Sequence, residues 1–180
     1  GMVILVADDP GPISSQTEQD TRHFSRFSKL PCFDPSSAQE AYEMIQEAFE
    51  YSEKYGTPVF LRPTTRVCHG YASIMVKDET EYTHHQPEGF IKDSKRWVIF
   101  PRLSFMNHKK IEARNQELSD IFSSYEKNTI HPSCDAFKDS KKGIATGGIS
   151  YTYTMETLKK TGMVKTLKIA TPHPFPEKLA

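Results

Sequence analysis

The chain has 180 residues, room for one complete domain or two partial ones at ~100 to 200 residues each. Lys and Arg number 23 and so do Asp and Glu, a balance that excludes the basic footprint of a nucleic-acid or anionic-membrane binder. Hydrophobic residues make 37%, and with Gly counted in place of Tyr the share stays near ~38%, lean against the ~45–50% of an average globular domain.

A lean core predicts that some apolar surface meets a partner or further chain. Cys32, Cys68 and Cys134 form neither a CxxC pair nor an even disulfide framework, which points to a reducing, cytosolic setting. No apolar run approaches the ~18 residues of a membrane span.

In chain order, Val3-Ile4-Leu5-Val6-Ala7 is a continuous apolar run, the pattern of a parallel strand covered on both faces. A chain that opens on such a strand is expected to be a piece of something larger. Asp8-Asp9-Pro10-Gly11-Pro12 ends the strand. Ser15-Gln16-Thr17-Glu18 has capping-box spacing and predicts a helix from Gln16 to about Ser28. Leu30 to Phe33 reads as extended. Ser37-Ala38-Gln39-Glu40 opens a second helix with Ala38, Ala41, Tyr42, Ile45, Ala48 and Phe49 on one stripe, closed by Tyr55-Gly56. Pro58 to Pro63 is another buried strand. This strand and helix alternation is that of an open α/β sheet.

Residues 77–96 lack periodicity and read as an irregular connector, and Trp97-Val98-Ile99-Phe100-Pro101 as an apolar anchor. Ile111, Arg114, Leu118, Ile121, Phe122 and Tyr125 fall on one face of a long helix that ends near Asn128. Lys142 to Thr146, a Gly147-Gly148 turn, a helix carrying Tyr151, Met155 and Leu158, and Val164 to Ile169 compose a βαβ unit. Glu177 begins what reads as a further helix.

The densest polar cluster lies at the carboxyl end of the first strand, where open α/β sheets place ligands. Ser15 and Glu18 read as capping residues there. Asp9, Ser14, Gln16 and Asp20 are candidates for ligand contact, with a solvated acidic surface as the alternative. Thr65 and Arg66, followed by His69, occupy the equivalent end of a later strand. Arg66 is either an ordinary solvated arginine or a two-pronged grip on a carboxylate or phosphate. Gly147-Gly148 matches no dinucleotide or phosphate-loop motif, so it is a tight turn unless a ligand approaches it. His84-His85 lacks a third ligand at zinc spacing. The cysteines cannot hold an iron–sulfur centre by themselves, and no GxSxG, HExxH or Cys/His nucleophile pattern occurs.

The string from Val3 to Gly11 that continues through Ser14-Ser15-Gln16-Thr17-Glu18-Gln19-Asp20-Thr21-Arg22 resembles the alpha subunits of the indolepyruvate branch of the thiamine-diphosphate-dependent 2-oxoacid:ferredoxin oxidoreductase family. Gly56 to His69 looks like the end of that family's pyrimidine-binding domain. Gly143 to Tyr151 and Pro172 to Glu177 look like its transketolase carboxyl-terminal-type domain. The resemblance implies an α/β fold of two partial open-sheet lobes. Residues 1–76 would be the C-terminal part of a pyrimidine-binding domain, 77–135 a connector with a long helix, and 136–180 the start of a transketolase C-terminal-like domain.

It also implies an intact cytoplasmic enzyme that oxidatively decarboxylates aryl-2-oxoacids, passes electrons through 4Fe-4S clusters to ferredoxin and delivers the acyl group to coenzyme A, with thiamine diphosphate and magnesium carrying the hard step. The chain's partners would be the remaining alpha-subunit domains, a beta subunit, ferredoxin and coenzyme A, with neither nucleic acid nor membrane. The family's activating glutamate lies upstream of the first strand, and its diphosphate and cysteine-rich domains lie downstream of Ala180. The chain alone is therefore expected to bind no cofactor and to be inactive, with no catalytic or metal-ligating residue of its own. A stand-alone remnant acting as a binding or assembly module is the alternative.

Overall fold

The computed structural model describes residues 1–13, 16–82, 86–87, 89–131, 141–162 and 164–180. Ser14, Ser15, His84, His85 and Cys134 lie outside the described residues. The fold is α/β and contains two three-stranded sheets. In the first, β1 (Val3–Leu5) and β2 (Cys32–Phe33) both run parallel to the central β3 (Val59–Leu61). In the second, β6 (Lys165–Ile169) lies between β4 (Thr129–His131), antiparallel to it, and β5 (Gly143–Gly147), parallel to it.

The first strand is parallel as read from its residues, but it is not covered on both faces. Among the described residues it pairs with β3 alone, and Leu5 is 64% exposed, so apolar continuity here marks an edge. The fully buried strands of this sheet are β2 and β3. Helix α1 spans Thr21–Ser28, shorter than the expected run from Gln16. Asp20 caps it by accepting from the Arg22 amide, and Gln19 N–H donates to Asp9 O. This bond holds the preceding segment extended against the β1 loop.

Helix α2 (Ala38–Tyr55) begins and ends where the sequence places it. Ser37 accepts from Glu40 N–H, and Gly56 closes the helix in the left-handed region at φ 56°, a conformation that glycine adopts without a Cβ penalty. The reciprocal half of the capping box is redirected. Glu40 Oε2 accepts from the Ser36 amide and hydroxyl, and its Oε1 pairs with Lys168 of β6. The buried stripe is rotated from the expected one: Met44, Ala48 and Ser52 point inward, and Phe49 is exposed.

Short helices α3 (Thr65–Cys68) and α4 (Ser94–Trp97) flank the largely exposed connector, which also contains a 3-10 turn at Glu79–Glu81. Trp97 to Phe100 do not anchor this segment, because all four side chains are exposed. Helix α5 (Pro101–Phe122) starts on a proline suited to its first turn. It buries Leu118 and Phe122 at its far end. The strand β4 that follows was not legible in three residues of mixed type. The β5, α6 (Gly148–Thr161), β6 unit matches the expected βαβ arrangement. Beyond it, residues 177–179 form a turn closed by Leu179 N–H to Pro176 O, where a helix was expected.

One core serves both sheets. Phe33, Met44, Ala48, Val59, Leu61, Leu118, Phe122 and Ala170 form a single buried cluster. Phe33 is its hub, edge-on to Tyr51, Phe122 and Tyr125 with ring centres 5.5, 5.7 and 5.8 Å away, a geometry favoured by the ring quadrupoles. Main-chain bonds join the sheets directly: Cys32 N–H donates to His173 O at 2.7 Å and Asp34 N–H to Ala170 O at 2.8 Å.

Buried Asn128 adds a side-chain latch. Its Nδ2 donates to Phe122 O at 2.8 Å and Thr171 Oγ1 at 2.6 Å, and its Oδ1 accepts from Ala170 N–H at 2.6 Å. Replacement by alanine strands these partners in a dry interior, so Asn128→Ala is expected to cost roughly 2–4 kcal/mol. Urea unfolding measures this, and a loss below ~1 kcal/mol would contradict the latch.

Candidate functional site

The parallel strands of the first sheet deliver charged residues to one edge. Asp34 follows β2 and Arg62 follows β3, and the pairing of Phe33 with Leu61 sets them level. Asp8 lies beyond β1, bridged to Thr64. Arg62 is only 2% exposed. Its Nε donates to Asp8 Oδ2 and its Nη1 to Asp34 Oδ2 at 3.1 Å. Asp8 also accepts from the Thr21 amide at 2.8 Å and the Thr21 hydroxyl at 3.1 Å, which ties the start of α1 to the sheet. A guanidinium stays charged when buried and matches carboxylates with its planar fork, whereas lysine has no second prong for the other aspartate.

A cleft of about 520 Å³ opens above this cluster. Asp9, Arg22, Arg62, Thr65 and Arg66 line it on the first sheet's side, and Gly148, Ser150 and Tyr153 on the second's. Asp9, Thr65 and Arg66 are thus brought together on one wall of the cleft. Asp9 and Thr65 spend their side chains on each other: Thr65 Oγ1 donates to Asp9 Oδ1 at 2.7 Å, and Asp9 Oδ2 accepts from Ile13 N–H at 3.1 Å. Both pin the loop. Arg66 is exposed on α3.

Asp20 does not line the cleft. It receives both prongs of Arg22 at 2.9 and 2.8 Å, and these bonds hold its carboxyl below the ordinary value. Gln16 is exposed and is not part of the cleft wall, and Ser14 lies outside the described residues. Arg62 and Asp34 were missed by sequence reasoning. The available signal was a charge placed directly after each of two buried apolar strands, opposite in sign and equivalent in register.

The glycine turn has a packing explanation. A Cβ on Gly147 would sit 2.2 Å from Ile169 O. One on Gly148, whose φ is +51°, would sit 2.7 Å from Asp34 Oδ1. Backbone and carboxylate therefore occupy the space that any side chain would need. Among the described residues no group of three or more His, Cys, Asp or Glu side chains could hold a metal ion. Cys32 is fully buried, and burial pushes its thiol up, so it is a core residue and not a reactive one.

Two buried carboxylates share one guanidinium, and Asp34 has the poorer portion, because its Oδ1 accepts no hydrogen bond. Burial raises its carboxyl to about 6, with Arg62 opposing the rise. Because the native value lies above the ordinary 3.8, the folded state holds more protons than the unfolded state between them. The stabilisation from that proton is complete below the ordinary value and is lost as pH climbs through about 6. Asp34→Asn, which imitates the protonated acid, should gain stability relative to the parent by on the order of 2–3 kcal/mol between pH 4 and pH 7. Denaturant unfolding at both pH values reads the difference, and a gap independent of pH would refute the assignment.

No protein-family model matches the chain. It is similar to indolepyruvate oxidoreductase subunit IorA from Pyrococcus abyssi, 38% identical over 98% of this chain and 27% of the relative. The IorA subunit of Methanothermobacter thermautotrophicus is also 38% identical over 98% of the chain and 28% of its own length. That of Archaeoglobus fulgidus is 33% identical over 99% and 28%. The chain spans little more than a quarter of these curated relatives. Along nearly its whole length, the chain is similar to one segment of these IorA subunits of indolepyruvate oxidoreductase.

Proposed function

We propose that the chain supplies part of the alpha subunit of a ferredoxin-dependent oxidoreductase that converts aryl-2-oxoacids, indolepyruvate among them, to acyl-coenzyme A. The observation that carries this reading is the similarity to the IorA subunits over 98% of the chain. In this reading residues 1–76 close a pyrimidine-binding domain, 77–135 connect, and 136–180 open a transketolase C-terminal-like domain. The remaining alpha-subunit domains, a beta subunit, ferredoxin and coenzyme A are the partners, in the cytoplasm.

Thiamine diphosphate with magnesium and the 4Fe-4S clusters belong in this reading to the intact enzyme. The residues in hand do not fit them. An aminopyrimidine needs a carboxylate beside it to exchange a proton. Of the carboxylates lining the cleft or lying beneath it, Asp8, Asp9 and Asp34 are buried and bound into the fold, and Glu18 is exposed. Among the described residues Cys32 is buried and Cys68 exposed, an arrangement unsuited to a cluster. What this segment contributes is a rigid edge: Asp8, Asp34 and Arg62 hold α1 and both β-strand ends in place, and the cleft above them stays open to a substrate or a neighbouring domain.

The chain alone is therefore expected to show no oxidation of indolepyruvate when supplied with thiamine diphosphate, coenzyme A and a ferredoxin substitute. The complete alpha and beta subunits assayed in parallel should turn over and prefer indolepyruvate to pyruvate. Turnover by the isolated chain would overturn the claim of inactivity, and equal rates on both acids would overturn the aryl preference.

A further inference from the structure

The cleft's two walls converge on a set of donors that the protein itself leaves unused. Among the described residues, Arg62 Nη2 and Thr64 Oγ1 are buried without a hydrogen-bond partner, in residues that are 2% and 6% exposed, and both residues line the cleft. The nearest acceptor recorded for Arg62 Nη2 is Asp20 Oδ1 at 3.7 Å, too long for a hydrogen bond. Orphaned donors of this kind are costly, because each forfeits its hydration without replacement.

Opposite them stands the amino end of α6, a helix of 14 residues whose cap, Gly147, makes no side-chain hydrogen bond. Its first amides have no intrahelical partner and carry the positive end of the helix dipole. Arg66 adds an exposed cation at the rim. Every one of these groups donates hydrogen bonds or carries positive charge. The glycine turn is not an argument here, since packing against Asp34 and Ile169 already explains it.

We propose that this cleft is an oxyanion-binding subsite, which takes a phosphoryl or carboxylate group between Arg62, Thr64 and Arg66 on one side and the amides of Gly148, Ile149 and Ser150 on the other. The inference stands on the geometry of the cleft and holds whether or not the chain serves an aryl-2-oxoacid enzyme. The shared ligand chemistry is a group with at least two acceptor oxygens, able to meet a guanidinium and a row of amides together. The volume of about 520 Å³ leaves room for a body attached to that group.

Two probes separate the sources of such a group. The purified 180-residue chain is titrated with inorganic diphosphate and, separately, with phenylpyruvate, and its amide resonances are followed by NMR. Saturable shifts centred on Gly148, Ile149, Ser150 and Thr65 are expected for at least one probe. A response to diphosphate alone assigns the site to phosphoryl ligands, a response to phenylpyruvate alone to carboxylate substrates, and a response to both to either group. Arg62→Ala is a poor test because loss of a buried ion pair threatens folding.

Arg66→Gln and Thr64→Val are the informative variants, one removing an exposed charge and the other a hydroxyl with no partner. Each should keep the parent's thermal unfolding profile, and Arg66→Gln should weaken binding about tenfold through loss of a charge-assisted bond. The proposal is overturned if neither probe gives saturable shifts at these amides, or if both variants bind as tightly as the parent.

Discussion

The buried ion cluster of Arg62 with Asp8 and Asp34 is the constraint on which the first sheet and its surroundings depend. A guanidinium cannot lose its charge in the interior, so it must be solvated by protein. Here the solvating carboxylates come from the ends of the two flanking strands, and Asp8 reaches on to Thr21 at the start of α1. Such a cluster is weak evidence for net stability, because desolvation offsets much of the attraction. Its effect is on arrangement: a register slip of one residue in β2 or β3 would leave Arg62 facing an apolar neighbour, at a cost of several kcal/mol.

The same cluster explains why the cleft is open and polar. Its charges line the floor beneath the cleft, and the glycine turn of α6 can approach only because it presents no side chain to Asp34. Packing thus brings a helix amino end, two orphaned donors and a rim arginine to one place. The charge balance also divides Asp34 from Asp8. One carboxylate has three donors and the other has one.

Local patterns were legible wherever one residue decides the outcome. Ser37 and Gly56 bound α2 through a cap and a left-handed turn, both readable by type and position, and the βαβ unit follows its apolar rhythm. Elements failed where tertiary contacts decide. The capping spacing at Ser15 and Glu18 lost to Asp20, because Gln19 is drawn to the Asp9 carbonyl. Val3 to Leu5 has the composition of a central strand and lies at an edge, since composition does not report which neighbours a strand has. At the site, Asp9, Thr65 and Arg66 were readable from their place after strands. Arg62 was not, because a charge directly after an apolar strand usually reads as the strand's solvated end. The lean composition is also resolved: Tyr71, Met75, Phe90 and Phe100 are all exposed, so the apolar share is divided between one core and an outer surface.

The bond from Cys32 N–H to His173 O pairs the outer edge of β2 with a segment almost at the opposite end of the chain. All of the chain between Cys32 and His173 must emerge from the ribosome before that edge is satisfied. Until then β2 presents unpaired amides beside the aromatic face of Phe33, an invitation to wrong partners. Contacts of this sequence separation also slow folding, because loop closure precedes the reward. The two sheets are consequently expected to mature together and late, and the vulnerable interval of this protein lies in its synthesis more than in its finished state.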